Sequence, residues 1–182
     1  GSIQKLHSWD DQIVMLCEDN IVRAYADKDI LFNADGNPNV VATNRVIGAV
    51  QPYNGEYGIS KNPESFASYG FRCYFTDQTR GAVLRLSKDG LTPIDKILMS
   101  DFFSDRFFNT GCYNSTIDNS KIIGSYDDYN GLYNISFIGR DTVCFDEATN
   151  GWPTRKSFIP EFAISMNNTY YSYNNGELWE HD

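Results

Sequence analysis

The chain has 182 residues, with 24 Asp and Glu against 15 Lys and Arg, a formal net charge of −9, and two histidines, His7 and His181. No stretch gathers the cations onto one face, which argues against a surface for nucleic-acid phosphates. No apolar run reaches the roughly 20 residues of a membrane span, and two terminal histidines with no CxxC pair leave no zinc-ligand set.

Aromatic content is the informative quantity: 12 Phe, 12 Tyr and 3 Trp stand beside 14 Gly and many Asn and Asp. Aromatic and β-branched runs broken by Gly, Asn and Asp are what short strands and tight turns require. In chain order, Gly1 and Ser2 read as the remnant of a cleaved tag, so the natural protein is expected to extend beyond both ends. A first hairpin is predicted from residues 13–17 and 21–25 around Glu18-Asp19-Asn20. Residues 27–45, with Asp35-Gly36 and Asn37-Pro38, read as a long loop or an inserted β-turn excursion. The second hairpin joins 72–76 to 82–87 through a turn closed by Gly81. Residues 100–108 place Phe102, Phe103, Phe107 and Phe108 at helical spacing, predicting a short helix with Ser100 as N-cap, laid across a sheet edge. Further hairpins follow at 122–137 around Gly131 and at 170–179 around Gly176. Second strand pairs are predicted at 91–94 and from 142–145 followed by 157–160.

Hairpins near 13–25, 71–87, 121–138 and 169–180 recur at roughly the 40- to 50-residue period of propeller blades. A small sheet has two apolar faces and buries neither alone, so stacked neighbours supply the missing partner. The predicted fold class is all-β: a β-propeller or propeller-like array of short antiparallel sheets with one inserted helix. Residues 3–182 form a single repeat domain or a fragment of a larger propeller.

Chemistry-bearing residues carry little signal. Cys17, Cys73, Cys112 and Cys144 are far apart, and three lie in apolar runs, as small buried hydrophobes do. A glycosidase pair would be drawn from Asp77, Asp127, Asp146, Glu147 and Glu161. Asp77 and Asp127 open hairpin turns, however, and Asp146-Glu147 leads into Asn150-Gly151, where Asx side chains ordinarily cap their own backbone. A calcium loop at 33–37 lacks its closing Glu, and no internal histidine could activate a nucleophile. No catalytic residue, metal or cofactor is expected. Most aromatics, and the alternating Phe71, Cys73 and Phe75, should be core. Tyr53, Tyr57, Tyr126, Tyr129 and Trp152 fall in or beside turns and are the candidate binding residues, as rigid anchors for a protein or glycan.

Residues 58–67, 69–77 and 80–87, together with a C-terminal run that includes Phe145-Asp146-Glu147, Gly151-Trp152, 156–161 and 175–179, resemble a segment of the tail-associated structural proteins of tailed bacteriophages. The resemblance implies a large, often oligomeric virion protein of the tail or portal-proximal assembly, with no catalytic residues to carry over. The expected role is therefore a non-enzymatic structural component of the virion. Its partners would be other virion proteins, with homo-oligomerisation left open and neither nucleic acid nor membrane bound directly. The alternatives are a receptor- or glycan-binding propeller on the tail and, third, a glycan-cleaving enzyme.

Overall fold

Turn residues every few positions force the chain to fold back on itself repeatedly. The computed structural model describes residues 1–108 and 121–181, with backbone alone over 27–32 and 42–45. Cys112 lies outside the described residues. Every strand pair described is antiparallel, the strands follow one another in sheet order, and one short α-helix interrupts them. The chain divides into two compact units, Gly1–Ser60 and Lys61–Asp182.

The first unit is a meander of β1 (Ile3–Trp9), β2 (Gln12–Cys17), β3 (Ile21–Phe32) and β4 (Pro38–Pro52). Val14, Leu16, Ile21, Ala24 and Ile59 are among its buried side chains. Pairing of β2 with β3 stops at Gln12 opposite Tyr25, whereas β3 and β4 continue to Phe32 opposite Pro38. Residues 27–45 are thus a two-stranded ribbon, the excursion rather than the loop. Its turn is closed by the Asn33 amide donating to the Asn37 carbonyl at 2.9 Å, with Gly36 at φ +77°. Backbone geometry accounts for the Asn and Asp that suggested a calcium loop.

The second unit holds three meanders: β5 (Ala67–Tyr69) to β8 (Gly90–Pro93) through β6 (Arg72–Asp77) and β7 (Ala82–Ser87); β9 (Ile122–Asp127), β10 (Leu132–Phe137), β11 (Asp141–Asp146) and β12 (Gly151–Lys156); and β13 (Phe162–Met166), β14 (Thr169–Asn174) and β15 (Glu177–His181). Strand β9, the first of its sheet, lies beside β5 and β13, the first strands of the sheets on either side. The four hairpins read from the sequence are all antiparallel pairs. Gly81, Gly131 and Gly176 take the positive φ their turns need.

Their places within the sheets differ, however. The β2–β3, β6–β7 and β14–β15 hairpins join second to third strands, whereas β9–β10 joins first to second. The turn of β10–β11, with Gly139 at φ +75°, is the true counterpart of the Gly81 turn. A second correction concerns the partner of β11, which is Gly151–Lys156 rather than 157–160. This outer strand tolerates Pro153 because an edge needs no donor on its open side.

The helix, α1 (Ser100–Phe108), occurs where expected, but the Phe103 amide bonds the Met99 carbonyl at 3.0 Å, placing Met99 rather than Ser100 at the cap. Instead of lying across an edge, it drives Phe103 and Phe107 into the core between two sheets, beside Tyr74, Val83, Ile135, Phe137 and Phe145. Phe103 packs on Phe107, Phe137 and Trp152. Strand β9 also crosses close to the 3-10 turn Pro63–Ser65, whose Ser65 carbonyl accepts a 2.7 Å bond from the buried Tyr133 hydroxyl.

Candidate functional site

The five aromatic binding candidates are divided between the two units and differ in exposure. Tyr53 and Tyr57 belong to the first unit and are half-buried, with the Arg23 guanidinium 5.2 Å from the Tyr53 ring centre. Tyr126 is a correction: it is a core residue of β9, stacked on Tyr69 at 4.5 Å and Tyr74 at 5.6 Å. Trp152 packs on Phe103 and Phe145 and donates its indole N–H to the Ile94 carbonyl at 3.0 Å, so its polar end is already engaged. Of the five, Tyr129 alone is well exposed, at 66%. Phe71, expected in the core, is half exposed at the β5–β6 turn, with the Lys88 ammonium 3.9 Å over its ring. Its neighbour Gly70, at φ +56°, carries it round the turn instead of into the strand alternation.

The carboxylates hold structure. Asp77 accepts the Arg80 amide at 3.1 Å, Asp127 the Asn130 amide at 3.1 Å, and Asp146 the Ala148 amide at 2.8 Å, each within its own turn. Glu147 ties two sheets together, accepting the Tyr74 hydroxyl at 2.7 Å and Arg85 at 2.9 Å. Glu161 lies exposed before β13. Among the described residues no three His, Cys, Asp or Glu side chains group as metal ligands. Cys73 and Cys144 are buried and free of disulfides, and burial pushes their thiols up to about 12 and about 11, far from a reactive thiolate.

Two features of the second unit remain exposed and specific. The first is one face of the β13–β15 sheet. Register places Phe162 opposite Tyr173 and Tyr173 opposite Leu178, with Ile164 opposite Tyr171, and strand alternation puts Met166 on the same face. Phe162 is 58%, Met166 57% and Leu178 68% exposed. On the opposite face Tyr170 and Ser172 are buried, and the sheet is tied to β9 there: the Tyr170 and Ser125 hydroxyls share a 2.8 Å bond, and the Ser165 hydroxyl donates to the Tyr126 carbonyl at 2.9 Å, while Trp179 on the outer strand stays 55% exposed. In the preceding sheet both faces are covered, with Ile122 and Ile123, or Tyr133 and Asn134, buried as successive residues. The β13–β15 sheet also has three strands where the others have four.

The second feature is a cleft of about 570 Å³ lined by Arg106 of α1, Arg140 in the β10–β11 turn, Asp141 at the start of β11, and Arg155, Lys156 and Ser157 at the end of β12. Arg106 donates to Asp141 Oδ2 at 3.3 Å, Arg155 bonds the same oxygen, and the Lys156 ammonium lies 3.5 Å from buried Asp127. Burial is the first influence pulling Arg106 below its ordinary range, Asp141 opposes it, and Arg140 and Arg155 add to it as like charges. Folding thus gathers cations that the linear sequence scatters, and the expectation of no clustered positive face is corrected here.

No protein-family model matches the chain, and no curated protein matches it.

Proposed function

We propose that this chain is a non-enzymatic structural component of a bacteriophage particle, in the tail or a tail-proximal assembly, acting through protein–protein contact. Its sheets are read as part of a β-propeller or propeller-like array: successive four-stranded meanders with first strands side by side, as the inner strands around an axis would lie. The likeness of residues 58–90 and 141–182 to tail-associated structural proteins supports the viral part of this reading.

The observation that carries the interaction role is the bare face of Phe162, Ile164, Met166, Tyr173 and Leu178. A contiguous apolar face of this kind marks an interaction surface. Its occupant is another small antiparallel sheet, supplied by a neighbouring virion protein, because within this chain the corresponding sheet faces are covered by such sheets. The carboxylates weighed for glycan cleavage serve turns and sheet contacts, which favours binding over catalysis.

Mass spectrometry of purified particles is expected to find the chain at the stoichiometry of a structural protein. Ile164→Lys, at a site 45% exposed, should leave the free energy of unfolding within about 0.5 kcal/mol of wild type and exclude the chain from particles. A chain absent from particles, or I164K incorporated like wild type, would overturn the reading. Self-association of the purified chain, abolished by the same variant, would instead make a second copy the occupant.

One observation favours glycan binding as a second reading. A cleft of about 370 Å³ has Trp179, Phe158, Asn174, Asn175 and Glu177 among its lining residues, an aromatic platform with polar groups at its rim. A glycan array separates the readings, since a purely structural module leaves every spot blank.

A further inference from the structure

Charged and polar side chains line the whole of the Arg106–Arg140–Arg155 cleft. We propose that this cleft binds an anionic sugar residue, with guanidinium forks holding its carboxylate and Asp141 and Ser157 facing its hydroxyls.

Three observations lead there, none depending on the phage reading. Arginine is the side chain suited to fork-to-fork bonding of planar oxyanions, and three arginines from three separate elements line one cleft. Two of them, Arg106 and Arg155, share one carboxylate oxygen of Asp141, so their donors outnumber the acceptors this residue offers them. Arg155 is 60% exposed and can turn towards a ligand while Arg106, mostly buried, holds Asp141.

The size and layout of the cleft narrow the class. At about 570 Å³ it falls within the range of small-molecule sites and exceeds what an inorganic ion fills. A long polyanion such as nucleic acid needs a stripe of cations, whereas these cations converge on one place in a chain of net charge −9. The other Asp141 oxygen, Oδ1, is buried and receives no hydrogen bond among the described residues. Such an acceptor invites a hydroxyl donor once Arg155 turns to an incoming carboxylate. An oxyanion and hydroxyls on one compact ring are the chemistry of a uronic acid.

Titration calorimetry of the whole chain with glucuronate, glucose and sodium sulfate tests this. Glucuronate should bind, sulfate more weakly, and glucose not detectably. Arg155→Gln should weaken glucuronate binding at least about tenfold, the loss of one charge-assisted bond, and Arg155→Lys, which keeps the charge but not the planar fork, should restore only part of it. Raising the salt concentration should weaken binding further. Sulfate binding as tight as glucuronate would reduce the cleft to a plain anion site and overturn the sugar assignment. No glucuronate binding, or binding indifferent to both substitutions, would overturn the proposal altogether.

Discussion

Replacing Gly124 with Ala should destabilise the second unit by about 3 kcal/mol, the upper end for overpacking a tight interior. A methyl group built on Gly124 would lie 1.8 Å from the Ser65 carbonyl oxygen and 2.4 Å from its carbon. Those atoms are backbone in the 3-10 turn before β5, so no flexible side chain can move aside. The same carbonyl accepts the hydrogen bond of the fully buried Tyr133 hydroxyl, which would lose its partner if the turn were pushed away. Gly151→Ala is the control: its nearest contact would be 3.8 Å, an ordinary van der Waals distance, and it should cost no more than about 0.5 kcal/mol. Urea denaturation followed by tyrosine and tryptophan fluorescence measures both. Equal midpoints for the two variants would mean that β9 does not pass the Pro63–Ser65 turn as described.

Glu147→Ala should cost about 3 kcal/mol, in the range for removing one partner of a largely buried ion pair. Glu147 follows β11 in sequence, yet its partners, Tyr74 and Arg85, lie on β6 and β7 of the preceding sheet, with Arg72 at 4.0 Å. Removing the carboxylate strands the partly buried Arg85 guanidinium, whose Nε already lacks a partner among the described residues, and leaves the Tyr74 hydroxyl without its acceptor. Burial first, and Glu147 second, push Tyr74 above its ordinary range, so its hydroxyl stays a donor through neutral pH. Glu147→Gln retains an acceptor for Tyr74 and should lose about half as much, because only the charge is gone. The difference between the variants, read from urea midpoints at constant slope, separates the ionic from the hydrogen-bonded part. If both behave like wild type, the contact between these sheets does not depend on Glu147.

What could be read from the sequence was local. Gly81, Gly131 and Gly176 announced their turns because a positive φ is a property of a single residue. The spacing of Phe103 and Phe107 announced α1 because one helix face repeats every three to four residues. Sheet membership was hidden, since every hairpin of a meander looks alike: the Gly131 turn resembles the Gly81 turn yet occupies a different place in its sheet. The arginine cleft was invisible because α1, the β10–β11 turn and β12 meet only after folding. Tyr126 was misplaced for the opposite reason. Its neighbours Asp127 to Gly131 form a turn, but the tyrosine itself ends a buried strand and stacks on rings from another sheet. The bare face was hidden too, because Phe162 and Ile164 alternate like any strand and only the absence of a covering sheet among the described residues sets them apart.

Hydroxyl-radical footprinting, comparing the dilute purified chain with intact particles, tests the interaction role most directly. Phe162, Met166 and Tyr173 should be labelled in the free chain and strongly protected in the particle, while exposed Leu98, between β8 and α1, serves as the reference for each preparation. Equal labelling of the β13–β15 face in both states would contradict the account, because the surface said to receive a neighbouring sheet would then be open to solvent in the assembled structure.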